Sequence, residues 1–276
     1  IYTYDETDFK ALADCACSHM EGRKPVLIGA NGVWDRNYDK RPDAKVYMEE
    51  CIRFAQYARD AGASGVVYTM PEALVPADGE SPADLVKRYF TTLCAGVDLP
   101  VFMYQPPGTL KEYMLTRELI AELADIDNLV GAKASYADGE YVFNLIRAVK
   151  NKDFKYIIGA ETIWALGLYA GSQAVIGQGS TLNPQVISKV QECFEAGDRE
   201  GTLAAQDAVN ELVYACSNPQ DFYKKWAIEQ GFPLGLYHRS MHSNPYATDP
   251  TPLDDAAFQH AKNKINEVEA RLGITR

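Results

Sequence analysis

Hydrophobic and polar positions alternate along this chain between two textures. Short, nearly continuous apolar runs stand at 25–29, 66–69, 100–104, 128–133, 154–159 and 174–177. Between them lie longer stretches with helical spacing, at 5–20, 43–61, 82–94, 116–124, 139–149 and 162–170. The apolar runs show little period-two alternation, as expected of parallel strands covered on both faces. Six βα units of this kind predict an α/β protein, either open and doubly wound or closed as a TIM (β/α)8-type barrel. After the first strand, Ile28-Gly29-Ala30-Asn31-Gly32 lacks the G-x-G-x-x-G spacing of a dinucleotide fold, which favours the barrel. Beyond Asn183 the strand texture stops. Helical patterns fill 185–230 and 253–272, and 231–252, rich in Pro, Gly, His and Asn, reads as a surface loop. The expected organisation is a barrel domain over 1–184, with the last barrel helix and a helical extension over 185–276.

Composition narrows the function classes. The 276 residues are 47% apolar and 24% charged, ordinary for a soluble globular protein. No stretch approaches the roughly 20 continuous apolar residues that span a bilayer, and no signal-peptide pattern is present. The net charge of -11 repels phosphate backbones, so nucleic acid is excluded as the expected partner. Cys15, Cys17, Cys51, Cys94, Cys193 and Cys216 lack paired metal-ligand spacing and fall mostly inside helical patterns. They read as small hydrophobes in a reducing compartment, and a cytoplasmic location is expected.

Chemistry concentrates at two strand ends. The run 100–104 ends in Tyr104, and the run 128–133, one unit later, ends in Lys133. Barrel enzymes build their sites at this C-terminal rim. A lysine in a dry barrel loses the hydration of its charged form, which frees neutral amine to attack a ketone and form an imine. A neighbouring tyrosine can shuttle the protons. In the plainer reading, Lys133 begins a loop and reaches solvent while Tyr104 packs in the core. Pattern alone leaves both open.

The residues around these ends narrow the choice. Tyr104-Gln105-Pro106-Pro107-Gly108 resembles the Y-N-x-P motif of the dihydrodipicolinate synthase/N-acetylneuraminate lyase family. Val130-Gly131-Ala132-Lys133-Ala134-Ser135 resembles its G-x-K-[DE]-[AS]-[ST] motif. Residues 58–67, Ile158-Gly159-Ala160-Glu161 and 171–176 resemble further family segments in the family's order, so the likeness spans about 4–201. It implies a barrel with added C-terminal helices, usually a homotetramer, that performs aldol cleavage, condensation or dehydration with neither metal nor cofactor. Lys133 would form a Schiff base with pyruvate or another 2-oxo acid, Tyr104 would act as general acid/base, and an aldehyde would be the second small-molecule partner. A sugar-acid dehydratase using the same imine, and a binding protein that has lost catalysis, are the alternatives.

Three departures from the family pattern stand out. Residues 2–28 resemble the family segment just after its G-T-T-G-E loop, so the family's first two strands are expected to be absent from this chain. Gly108-Thr109-Leu110 stands where the synthases keep a carboxylate-binding arginine. Met70-Pro71-Glu72-Ala73 replaces the family's P-Y-Y. Dihydrodipicolinate synthase itself is thereby disfavoured.

Other candidates are weaker. Ile176, Gly177 and Gly179 lie in a glycine-rich turn that can present backbone N–H groups to a carboxylate, as the family suggests near Ile176, or can simply make the turn. Glu161 reads as a helix-start charge or a supporting acid. His19 and His260 read as surface residues, and His238, Arg239 and His242 as solvated loop. Trp34, Asp35, Arg36 and Asn37 follow the first strand in a long loop and fit substrate selection, packing or a subunit contact equally well.

Overall fold

The computed structural model describes residues 5–177, 183–232 and 253–274. The chain forms two compact units, Ile1–Ser135 with Asn144–Tyr156, and Tyr136–Phe143 with Ile157–Arg276.

The first unit is built on parallel strands β1 (Leu27–Gly29), β2 (Gly65–Thr69), β3 (Val101–Gln105) and β4 (Leu129–Ala134), each paired to the next. Helices α1 (Glu6–Met20), α2 (Ala44–Asp60), α3 (Pro82–Ala95) and α4 (Arg117–Leu123) alternate with them. The helix starts follow from local chemistry. Asp5, Asp43, Ser81 and Thr116 each accept a first-turn backbone N–H, and Pro82 occupies an opening position of α3 where no N–H is needed.

The strands depart from the expected even cover. Along β3, Val101, Met103 and Gln105 are buried, whereas Phe102 and Tyr104 are half-buried. α2 and α3 close one face of the ladder through an aromatic layer. Tyr68 meets Tyr89 edge-on at 6.3 Å between centroids, and Tyr89 meets Phe90 at 5.1 Å. The Tyr68 hydroxyl donates to Cys51 O (3.1 Å), so its polar end is satisfied inside this core. Phe9 of α1 stacks on Phe54 of α2 at 4.5 Å.

In the second unit, β6 (Ala174–Val175) pairs parallel with the end of β5 (Lys155–Ile158), Ile157 opposite Ala174 and Ile158 opposite Val175. The boundary between units falls within β5 and within α5 (Gly139–Val149). A 3-10 turn, Glu161–Ile163, leads into α6 (Trp164–Ala170), which Gly171 ends at φ +107°. The helical pattern over 185–230 resolves into α7 (Pro184–Glu195), α8 (Arg199–Ala215) and α9 (Pro219–Glu229). Asn183, Asp198 and Asn218 cap them, and those caps set the breaks. α10 (Asp255–Leu272) packs Phe258 and Ile265 with Phe222, Cys216 and Leu253. Asp221 is fully buried and accepts from Leu253 N (2.7 Å). No helix among the described residues is long and apolar enough to cross a membrane.

All six cysteines are free thiols. Burial pushes the Cys51 and Cys94 thiols up to about 12, so almost no thiolate exists at either near neutral pH. Iodoacetamide at pH 8 is expected to modify the exposed Cys15 in the native protein and to spare Cys51 and Cys94 until urea unfolds it. Peptide mapping of the labelled protein checks this, and rapid native labelling of Cys51 would contradict the packing.

Candidate active site

A shift of one residue decides where the lysine points. β3 and β4 begin in register with Val101 opposite Leu129, but Phe102 then stands opposite Gly131. Val130 is the extra residue, a bulge in β4. Beyond it, Tyr104 pairs with Lys133 and Gln105 with Ala134. Without the shift, Lys133 would fall opposite the fully buried Gln105, on the face that the helices close.

The start of β4 is clasped to β3. Asn128 adopts the left-handed region at φ +71°, which asparagine tolerates better than most residues. Its side-chain amide donates to Val97 O (2.8 Å) and Leu99 O (2.6 Å), and Val101 N donates to Asn128 O (2.9 Å). Gly131 leaves room beside the bulge. A Cβ there would lie 2.6 Å from Lys155 O and 2.7 Å from the Phe102 ring.

Lys133 and Tyr104 therefore share one half-buried face. The Lys133 Nζ sits over the Tyr104 ring, 4.6 Å from its centroid, inside the range in which an aromatic face attracts a cation by about 0.5–2 kcal/mol. The Tyr104 hydroxyl pairs with Ser135 Oγ at 3.2 Å. Ser135 N donates to Gln105 O (3.0 Å), which fixes the backbone just beyond β4. On the other side of Tyr104 stands Thr69, its register partner from β2. Asn31 holds Thr69 twice: its amide donates to Thr69 Oγ1 (2.8 Å), and its carbonyl accepts from Thr69 N (3.0 Å). Both residues are buried.

The loops above these strand ends replace the two motifs in which this chain departs from the family. Gly108 turns at φ +76°, Thr109 Oγ1 donates to Pro106 O (2.9 Å), and Leu110 N donates to Glu72 Oε1 (2.9 Å). Glu72 is 1% exposed. It also accepts from the Tyr38 hydroxyl (3.3 Å) and pairs with Arg36 at 4.0 Å. Arg36, at φ +60°, is thus tied down through Glu72 and through its own bond to Tyr38 (3.0 Å). Trp34 packs edge-on against Tyr38 at 5.2 Å.

Of the residues singled out from sequence, Tyr104 and Lys133 are brought together. Ile176 and Gly177 belong to the second unit. There Ile176 N donates to Ile158 O (2.8 Å), and the bare Cα of Gly177 faces the Glu161 carboxylate so closely that a Cβ would lie 2.0 Å from Oε2. Glu161 is buried, and its own carbonyl accepts from Gln206 Nε2 (2.9 Å). It opens the 3-10 turn that leads into α6, as a helix-start charge would, but it does so buried rather than in solvent. Gly179, His238, Arg239 and His242 lie outside the described residues.

Sequence reasoning passed over Asn31, Thr69 and Ser135 as participants. Strand periodicity held a signal for Ser135, which stands two residues from Lys133 and so on the same face.

This fold and this pair of strand ends define a class of protein. The dihydrodipicolinate synthetase family model matches residues 45–253, and the chain belongs to that family. A 4-hydroxy-tetrahydrodipicolinate synthase from Methanospirillum hungatei JF-1 is 31% identical over 272 residues, covering 98% of this chain and 82% of the relative. YagE of Escherichia coli K12, provisionally named a 2-dehydro-3-deoxy-D-gluconate aldolase, is 30% identical over 266 residues, covering 94% and 79%. The solved structure of YagE in complex with pyruvate superimposes with a TM-score of 0.69 at 23% identity, over 96% of this chain and 82% of that one. The 4-hydroxy-tetrahydrodipicolinate synthase of Methylacidiphilum fumariolicum SolV superimposes with a TM-score of 0.73 at 18% identity, over 98% and 83%. The fold is thus the parallel α/β, TIM-barrel type of these neighbours, and the chain is a lyase-family protein.

Filling the space at Gly131 tests the geometry. Gly131→Ala must displace either a backbone carbonyl or a ring, and it is expected to cost about 1–3 kcal/mol of stability, read as a fall in the urea midpoint. An unchanged midpoint would mean that β4 does not approach Phe102 and Lys155 this closely.

Proposed function

We propose that this chain is a Schiff-base-forming lyase of aldolase type, which cleaves or condenses a 2-oxo acid such as pyruvate with an aldehyde. The observation that carries this reading is the Lys133 amine seated 4.6 Å from the centroid of the Tyr104 ring on one half-buried strand face. The family membership and the pyruvate complex of YagE support it.

In the cleavage direction, the neutral amine of Lys133 adds to the 2-oxo carbon. The resulting carbinolamine loses water to give an iminium ion, and Tyr104 supplies the proton that leaves with the oxygen. The phenolate then takes the proton of the substrate's aldol hydroxyl. The carbon–carbon bond breaks, its electron pair passes into the iminium to form an enamine, and the aldehyde departs. Water protonates the enamine carbon, and the hydroxide so formed adds to the iminium carbon. Collapse of that carbinolamine, with its hydroxyl proton passing to nitrogen, releases the 2-oxo acid and neutral Lys133.

The Gly108–Leu110 turn supports an aldehyde other than the carboxylate-bearing one of the synthases. No arginine stands in it, and it closes on the buried Glu72.

Borohydride reduction of the full chain with pyruvate, followed by peptide mass spectrometry, is expected to place a stable adduct on Lys133. Lys133→Met is expected to give none. Tyr104→Phe is expected to lower kcat by about 10²- to 10⁴-fold, the usual range for removing a general acid/base. An adduct absent from Lys133, or found on another lysine, would overturn the assignment.

A further inference from the structure

Tyr104 carries one O–H, and it faces the Ser135 hydroxyl at 3.2 Å. The direction of that bond has a chemical consequence. A phenol that donates to Ser135 has no proton for the carbinolamine oxygen. A phenol that accepts from Ser135 keeps its own proton aimed at substrate. Once that proton is given, a donor already aimed at the oxygen stabilises the phenolate without reorganisation.

The geometry around Ser135 suits a fixed donor. Its backbone N–H is bound to Gln105 O at 3.0 Å. Gln105 is fully buried, and its side-chain oxygen accepts from Leu115 N (2.7 Å). Ser135 stands two residues beyond Lys133 and Gln105 one beyond Tyr104. The ladder that sets amine against ring therefore also sets hydroxyl against hydroxyl. Lys133 lies on the face of the ring and Ser135 at its oxygen, so the two act on different parts of one phenol.

We propose that Ser135 is the positioning residue of Tyr104, its hydroxyl donating to the phenolic oxygen and holding that oxygen in place while the phenolic proton is transferred. This rests on the lyase reading above and adds a residue to it. Through both proton steps Ser135 keeps its own proton. The phenol gives one to the departing water and regains one from the aldol hydroxyl, so the tyrosine and serine end as they began.

The test uses the full chain, pyruvate and an aldehyde that it turns over. Ser135→Ala is expected to lower kcat on the order of 10- to 100-fold, as for the loss of a hydrogen bond to a charged group. KM for the 2-oxo acid and the borohydride adduct on Lys133 should be retained. Ser135→Thr, which keeps the hydroxyl, should restore most of kcat. In a Tyr104→Phe background, Ser135→Ala should cost nothing further, because residues that act as one unit are non-additive. Wild-type kcat in Ser135→Ala, or full additivity with Tyr104→Phe, would overturn the proposal while leaving the imine intact. A wild-type chain that forms no Lys133 adduct would instead overturn the lyase reading itself. Urea midpoints of both serine variants separate a folding defect from a catalytic one.

Discussion

The site depends on the register between two parallel strands. Side chains alternate faces along a strand, so a one-residue slip carries every side chain of β4 to the opposite face. The bulge at Val130 supplies that single residue between the Val101–Leu129 pair and the Phe102–Gly131 pair. Asn128, turned left-handed and bonded to two carbonyls, and Gly131, with no side chain to strike Phe102 or Lys155, make the bulge tolerable. Tyr104 meets Lys133 because of these residues, and Ser135 then arrives at the phenolic oxygen by the same alternation.

The rest of the first unit supports that ladder from one side. α2 and α3 cover the face that carries Tyr68 and Met103, where aromatic packing and the Tyr68–Cys51 bond leave no room for a charge. The opposite face carries the groups with transferable protons and is the less buried of the two along β3. One face is packed against helices, and the other carries the half-buried Tyr104, Lys133 and Ser135 on which the proposed chemistry rests. The strand-end loops show the same economy. The buried Glu72 gathers Leu110, Tyr38 and Arg36 around one carboxylate, so three separate segments are tied above β1, β2 and β3.

Much of the fold was legible beforehand, for reasons that differ by element. α2 and α3 announce themselves through Asp43 and Ser81-Pro82, whose side chains or ring satisfy helix starts locally. The helices over 185–230 read as one long pattern, because apolar spacing continues through it and only the caps at Asp198 and Asn218 divide it. Tyr104 and Lys133 were visible as strand ends. Asn31 and Thr69 were not, because their bond joins residues 38 apart and neither belongs to a recognisable spacing. Glu161 looked like a helix-start charge. Only packing against Gly177 and Gln206 shows that it is buried.

The sequence by itself determined the parallel α/β alternation, the family, and a lysine and a tyrosine at successive strand ends, because apolar periodicity and short motifs are local properties. It did not determine that amine and phenol would share a face, since alternation without the Val130 bulge predicts opposite faces. Tertiary structure decided that point, along with the Ser135–Tyr104 and Asn31–Thr69 bonds. Each depends on register and on space between strands, which are set by how distant segments pack rather than by the residues of any one segment.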